Sequence, residues 1–161
     1  MGSYLGTSEV QGLRAYRYKG SASSFLDVKV LGPFWTWLVE WVPLWVAPNL
    51  ITLLGLVILL SSTIIIQLQT QTLQEEVPAW SWYLLAICLF IYQSLDAIDG
   101  KQARRTGSSS PLGQLFDHGC DAVTCVCLGI NVSTAVKATP LSAFALFWLH
   151  CLPFFISNWE E

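Results

Sequence analysis

Four aspartates within a stretch of 26 residues are the side chains of this sequence with the clearest chemical potential. They lie where one long apolar run ends and the next begins, although residues 41–95 carry only two charged side chains. Ionised groups at the edge of a membrane are costly, and they usually serve a function. The four are Asp96, Asp99, Asp117 and Asp121.

The spacing of these aspartates predicts two helical pairs. Asp96 and Asp99 are three residues apart, Asp117 and Asp121 are four apart, and residues at those separations share one face of a helix. If the two helices are antiparallel neighbours, the four carboxylates meet at one depth and repel each other. Hard oxygen ligands suit Mg²⁺, Mn²⁺ or Ca²⁺. The pattern therefore predicts a site for two divalent ions of the kind that assists phosphoryl transfer.

The residues between and before the aspartates favour a phosphate-containing substrate. Gly100 and Gly113 leave room where a ligand or a neighbouring helix comes close. Arg104 carries a permanently charged, planar group that suits phosphate. Asn49, at the start of the first apolar span, is expected to cap the N-terminus of that helix.

A proton acceptor is expected beside the metal site. His118 follows Asp117 directly, and a histidine can accept a proton near neutral pH. A carboxylate bound to a metal ion is a poor base because the cation lowers its proton affinity. Chemistry alone therefore favours His118 over Asp121 as the base and excludes neither. His150, near the end of the last apolar run, is expected to be structural.

The composition indicates a membrane protein. Hydrophobic residues make up 53% of the 161 residues and charged residues 12%, against about 25% charged in a typical soluble domain. The net charge of −3 gives no indication of nucleic-acid binding. We predict an all-α membrane protein in which a cytosolic segment with a short interfacial helix, residues 1–46, precedes a transmembrane domain, residues 47–161.

Five predicted elements position the candidate site. The interfacial helix has aromatic and apolar side chains at helical spacing, a pattern typical of helices that lie in the membrane surface; these are Phe34, Trp37, Leu38, Trp41 and Trp45. About four transmembrane helices follow, each near the length that spans the hydrocarbon core; they are predicted over residues 50–66, 80–95, 112–136 and 141–156. Ser110 is the predicted N-cap of the third span.

The frame around the aspartates resembles the signature of the CDP-alcohol phosphotransferase family. That signature is Asp-x-x-Asp-Gly-x-x-Ala-Arg, eight residues, Gly-x-x-x-Asp-x-x-x-Asp, and the chain matches it at every specified position. Residues 92–105 and 110–121 look like the choline and ethanolamine phosphotransferase branch, as do residues 43–55 and, more weakly, 17–20. The resemblance covers about residues 12–128.

The resemblance implies transfer of phosphocholine or phosphoethanolamine from CDP-choline or CDP-ethanolamine to diacylglycerol, the final step of the Kennedy pathway. It implies that the four aspartates hold Mg²⁺ or Mn²⁺ and that Asn49, Gly100, Arg104 and Gly113 lie along the CDP moiety. In this branch it assigns the role of base to His118. It further implies a homodimer in the endoplasmic reticulum or Golgi membrane, with the active site facing the cytosol.

Other functions remain open at this point. Another member of the family would use inositol or glycerol phosphate as acceptor. A metal or proton transporter would use intramembrane carboxylates, although those lie near mid-membrane and these lie at span ends. The family core has six spans and about four are predicted here, so the chain is expected to be a C-terminally truncated form. One alternative is that it is a truncated isoform without activity.

The distribution of lysine and arginine predicts the orientation of the chain in the membrane. The segment before residue 33 carries four, the 100–111 loop carries three, and the loop between the first two spans carries none. The positive-inside rule therefore places the N-terminus and the aspartates on the cytosolic side.

This orientation predicts which engineered N-glycosylation acceptor is modified in cells. An acceptor introduced next to Glu75 should receive a glycan, seen as a mobility shift that a glycosidase reverses. An acceptor next to Thr106 is the matched control and should stay unmodified. Glycan on the Thr106 acceptor alone would mean that the topology is inverted.

Overall fold

The structure, a computed structural model, describes residues 24–159 and, before them, Gly6 and Gln11. Residues 24–159 contain helices and no strand. A π-helical turn, Asp27–Leu31, leads into the short helix α1 (Gly32–Glu40). Four long helices follow: α2 (Pro48–Gln67), α3 (Ala79–Thr106), α4 (Pro111–Ala135) and α5 (Pro140–Trp159). Within the predicted cytosolic segment, residues 1–5, 7–10 and 12–23, which include residues 17–20, lie outside the described residues.

All four long helices have the length and composition to cross a membrane. The 20 residues of α2 extend over about 30 Å, the thickness of the hydrocarbon core. Large apolar side chains are exposed on each helix, for example Leu54, Ile87, Val126 and Leu149. So much exposed apolar surface suits lipid and not water. The prediction of an all-α protein with about four membrane-spanning helices is confirmed.

Helix α2 is the scaffold on which the aspartate helices are placed. It packs along both α3 and α4, whereas the backbones of α3 and α4 approach each other at few points. Gly55 allows α2 to come close to α3, because a Cβ at that position would lie 3.3 Å from Leu95 Cβ. The relative position of the two aspartate helices is therefore set largely through α2.

A polar network joins α2 to α4 at the end away from the aspartates. Asn131 donates to the Thr63 hydroxyl at 2.9 Å, and Gln67 donates to the Thr134 hydroxyl at 3.1 Å. Between membrane helices, where lipid removes the hydrophobic drive for association, such hydrogen bonds help to hold the contact. They fix the register of α4 against α2.

The loop that follows α2 is closed by Glu75. The Thr70 hydroxyl and the Thr72 amide donate to its carboxylate, the amide at 3.0 Å. These hydrogen bonds, that of Thr70 first, lower the pKa of Glu75 from 4.5 to about 2. The carboxylate is thus ionised at neutral pH, at the end of the bundle opposite the aspartates.

Helix α1 buries one side, which includes Val39, and exposes Trp37, with the exposed Trp41 directly after its end. Val39 is buried in a cluster with Ile51 and Ile98. Trp37 and Trp41 are 53% and 70% exposed, and their rings meet edge to face with centroids 5.9 Å apart. Exposed tryptophan suits the membrane–water interface, and the interfacial placement of α1 stays a prediction.

Two side chains of α3 fasten the end of α1 and the loop after it. Gln102, which is 0% exposed, donates to the carbonyl oxygens of Pro43 at 2.9 Å and Val46 at 3.2 Å. Arg105 donates to the carbonyl oxygen of Val39 and, at 3.0 Å, to Gln102 Oε1. The carbonyls of Val39 and Pro43 also accept hydrogen bonds from the backbone amides of Val42 and Val46, so the side chains reinforce these turns and supply a donor to the Val46 carbonyl. We call Gln102 and Arg105 the carbonyl clamp.

The start of α2 differs from the sequence expectation. The helix begins at Pro48 with Ala47 at the N-cap position, so Asn49 lies inside the first turn and its predicted role as N-cap is wrong. Proline suits the first helical position because it has no N–H group to satisfy there. The start of α4 is as predicted, with Ser110 Oγ accepting a hydrogen bond from the Gly113 amide at 3.1 Å.

Substitution of Gln102 by leucine should destabilise the protein. The side chain would keep its approximate volume but leave the Val46 carbonyl without its donor, while the Pro43 carbonyl would keep only the Val46 amide. The expected cost is about 1–3 kcal/mol in the free energy of unfolding. Thermal unfolding in detergent micelles measures the loss. Gln93→Leu, at an exposed position of the same helix, is the matched control; equal unfolding temperatures for the two variants would rule out the clamp.

Candidate metal centre

The aspartates come from facing ends of α3 and α4. Asp96 and Asp99 lie in the last three turns of α3, and Asp117 and Asp121 lie in the first three turns of α4. Gly107 ends α3 in the left-handed conformation, with φ of 65°, which glycine adopts without strain. The chain then reverses within residues 107–110, so the two pairs return to the same end of the bundle.

Three of the four carboxylates form one compact group. Asp96, Asp99 and Asp117 each offer an oxygen atom that lies within 4.8 Å of those of the other two. Oδ1 of Asp96 and Oδ1 of Asp117 are buried and have no hydrogen-bond partner. Buried acceptors without a partner cost free energy, and a hard divalent cation is a partner that carboxylate oxygens suit. These residues therefore fit a metal ion.

Helix α2 supplies a hydrogen bond to this group. The buried hydroxyl of Thr52 donates to Oδ2 of Asp99. Outer hydrogen bonds of this kind commonly orient the carboxylates that bind metals. Sequence reasoning missed Thr52, because a threonine within an apolar span gives no signal until the packing of α2 against α3 is known.

Asp121 is held outside the group of three. Its Oδ1 accepts a hydrogen bond of 2.5 Å from the hydroxyl of Tyr92. Tyr92 was also missed by the sequence analysis, although a signal was present. It precedes Asp96 by four residues, which places both on one face of α3. The structure thus brings the predicted metal ligands together in part, and the assignment of Asp121 as a ligand stays a prediction.

The residues predicted to lie along the CDP moiety form two neighbouring pairs. A Cβ built at Gly113 would lie 3.5 Å from Asn49 Oδ1, so the first turns of α2 and α4 meet there. A Cβ built at Gly100 would lie 3.6 Å from Arg104 Nη1, so the guanidinium group folds back along α3. Gly113 is therefore a point of close approach, whereas Gly100 meets only the guanidinium of its own helix at ordinary contact distance. Contact of all four residues with CDP stays a prediction.

The two histidines occupy different environments. His118 is half-buried and follows Asp117 on α4; its role as a base stays a prediction. His150 Nδ1 lies 2.9 Å from the carbonyl oxygen of Leu146, one turn earlier on α5. That contact within one helix agrees with the structural role expected of His150.

The negative charge of the aspartates is not balanced by nearby basic side chains. In the part of the chain that the structure describes, no lysine or arginine forms an ion pair with any of the four; Lys137 pairs instead with Glu76 at 2.5 Å, in the loops at the opposite end of the helices. Ionised carboxylates this close together repel each other. A bound divalent cation would neutralise them while they stay ionised.

Comparison with known proteins agrees with this geometry. Residues 45–157 match the family model described as CDP-alcohol phosphatidyltransferase. Cholinephosphotransferase 1 of Rattus norvegicus is 45% identical over 162 aligned residues, 99% of this chain and 40% of the relative. The Homo sapiens protein of the same name is 43% identical, over 97% of this chain and 39% of the relative. Choline/ethanolaminephosphotransferase 1 of Arabidopsis thaliana is 42% identical, over 98% of this chain and 40% of the relative. The chain thus spans about two fifths of the length of these relatives.

The metal centre predicts opposite effects of Asp117→Asn with and without divalent ions. In the presence of a chelator the variant should unfold at a higher temperature than the unaltered protein, because one repelling charge is gone. With Mn²⁺ at 100 times its dissociation constant, the unaltered protein should gain about 2.7 kcal/mol, or about 5–10 °C, and the variant much less.

Glu40→Gln removes an exposed carboxylate of α1 and serves as the matched control. It should leave the response to Mn²⁺ unchanged. A response of Asp117→Asn as large as that of the unaltered protein would contradict the site.

Proposed function

The chain belongs to the CDP-alcohol phosphatidyltransferase family, and from this membership and the geometry of the aspartates we propose that it transfers phosphocholine or phosphoethanolamine from CDP-choline or CDP-ethanolamine to diacylglycerol. The products would be phosphatidylcholine or phosphatidylethanolamine, and CMP, as in the final step of the Kennedy pathway. The observation that carries the proposal is the group of three carboxylates inside the region that matches the family.

The aminoalcohol substrates are favoured over inositol or glycerol phosphate by the relatives. Proteins more than 40% identical to the chain carry the names cholinephosphotransferase and choline/ethanolaminephosphotransferase. The residues that surround the aspartates also resemble the aminoalcohol branch of the family, namely Lys101 and Gln102 after Gly100, and Gly119 and Cys120 after His118.

We assign the four aspartates to two ions of Mg²⁺ or Mn²⁺. When bound, such ions neutralise the carboxylates and act as Lewis acids on the pyrophosphate of the CDP-alcohol. Asp96, Asp99 and Asp117 would hold the ions in the compact group. Asp121, whose Oδ1 is engaged by Tyr92, would contribute its other carboxylate oxygen.

The CDP moiety would lie between the start of α4 and the end of α3. Arg104, folded along α3, would bind a phosphate oxygen of the leaving CMP through its guanidinium group. The side-chain amide of Asn49 lies next to Gly113 and would donate to or accept from the nucleotide. Gly100 and Gly113 leave the space that a nucleotide requires beside a helix backbone.

Proton transfer is assigned to His118. The imidazole would accept the proton of the diacylglycerol hydroxyl as its oxygen forms a bond to the β-phosphorus of the CDP-alcohol. The bond between that phosphorus and the oxygen bridging to the α-phosphate breaks, and CMP leaves with the electron pair. Arg104 would stabilise the charge that develops on CMP, and the proton on His118 later passes to solvent. Positioning and electrostatic stabilisation supply most of the acceleration in such transfers.

The location of the aspartates suits substrates of unequal solubility. They lie at the ends of apolar helices, where a lipid hydroxyl and a water-soluble CDP-alcohol can meet. We propose that this end faces the cytosol in the endoplasmic reticulum or Golgi membrane, with α1 in the surface, and that the protein is a homodimer.

A transfer assay in membranes tests the proposed function. Labelled CDP-choline or CDP-ethanolamine is supplied with diacylglycerol, and labelled lipid and CMP are measured. The assay compares the chain alone with the same chain carrying a C-terminal extension, which adds the further spans expected from the family resemblance. Lipid product and CMP in equal amounts support the function, and the absence of CMP release from both forms would exclude it.

The two histidines provide a matched pair of variants in that assay. His118→Gln should lower kcat by about 10²–10⁴-fold, the usual contribution of a general base, and leave binding of Mn²⁺ unchanged. His150→Gln should retain most activity because that ring contacts a carbonyl within α5. Comparable rates for both variants would remove His118 from the mechanism.

A further inference from the structure

We propose that Tyr92 is a positioning residue of the metal centre. Through its hydroxyl it fixes the Asp121 carboxylate in the orientation in which that group can bind a divalent ion. The inference rests on the proposed function, because it concerns the same site. It adds a residue that lies outside the aspartate frame and makes direct contact with one of its members.

The tyrosine ring is held rigidly. Tyr92 is 4% exposed and packs in a core cluster with Leu56, Leu59 and Cys120. The absence of a side chain at Gly55 leaves room for the ring, since a Cβ there would lie 3.3 Å from Tyr92 Cδ2. A hydroxyl on a ring confined in this way has little freedom, so its hydrogen bond fixes its partner in turn.

The hydrogen bond joins the two aspartate helices. Tyr92 belongs to α3 and Asp121 to α4, and the backbones of these helices approach each other at few points. The hydroxyl Oη donates to Oδ1 at 2.5 Å, a direct contact between side chains of the two helices. Tyr92 thus links the two helices one turn before Asp96 on α3.

A neutral donor has an advantage over a cation at this position. A lysine or arginine would cancel the charge of Asp121 and compete with a metal ion for it. A phenolic hydroxyl occupies one oxygen and leaves the carboxylate its negative charge. Thr52 makes the same kind of contact with Asp99, so hydroxyls orient two of the four aspartates. Loss of such an outer partner lowers metal affinity by about 10–100-fold.

The test is the binding of Mn²⁺ to the purified protein without substrates, followed by electron paramagnetic resonance of the free ion. Tyr92→Phe removes only the hydroxyl and should weaken binding by about 10–100-fold. Tyr83→Phe is the matched control, because Tyr83 lies on the same helix and is 72% exposed; it should bind Mn²⁺ as the unaltered protein does.

A second background separates positioning from general loss of structure. In the Asp121→Asn variant, the further change Tyr92→Phe should cause no additional loss of affinity, since the oriented carboxylate is already gone. Unchanged binding in Tyr92→Phe, or an equal loss in both backgrounds, would overturn the inference.

The same measurement distinguishes this inference from the proposed transfer. Mn²⁺ binding that depends on Tyr92, in a protein that makes no lipid product, would contradict the function and support the role of Tyr92. Lipid product from a protein whose Mn²⁺ binding does not depend on Tyr92 would support the function and contradict the role of Tyr92. A protein that binds no Mn²⁺ at all would refute the metal assignment and the inference together.

Discussion

Repulsion among carboxylates held close together is the constraint on which the rest of this structure depends. Two buried oxygens of Asp96 and Asp117 have no protein partner, and the described lysines and arginines form no ion pair with the aspartates. Such a group persists only if the scaffold resists the spreading of its helices. Helix α2 provides that resistance by packing along both α3 and α4, with hydrogen bonds to α4 at the far end.

The compact group and the interfacial helix are fastened to the same helix. Gln102 follows Asp99 by three residues and holds the carbonyls of Pro43 and Val46, directly before α2 begins at Pro48. The helix that carries half of the aspartates therefore also holds the end of α1 and the start of α2.

Local patterns were sufficient for much of the fold and for the outline of the site. Apolar run lengths indicated the four long helices, and helical spacing paired the aspartates, because both depend on neighbours along the chain. Thr52 and Asp99 are 47 residues apart, and Tyr92 and Asp121 are 29 apart; such contacts depend on how helices pack, which a single sequence does not encode locally. The N-cap assigned to Asn49 was wrong because Pro48 satisfies the first helical position better.

Asp121 differs from Asp96 and Asp117 in a way that bears on how the site is loaded. Asp96 and Asp117 each present a buried oxygen without a partner, whereas one oxygen of Asp121 has a donor in Tyr92, as one oxygen of Asp99 has in Thr52. A first ion would therefore gain most from the group of three, where it relieves both repulsion and unsatisfied oxygens. Asp121 would then bind at a site whose negative charge is already partly neutralised. Its charge alone would contribute less there, so the fold has to hold its carboxylate in the correct orientation.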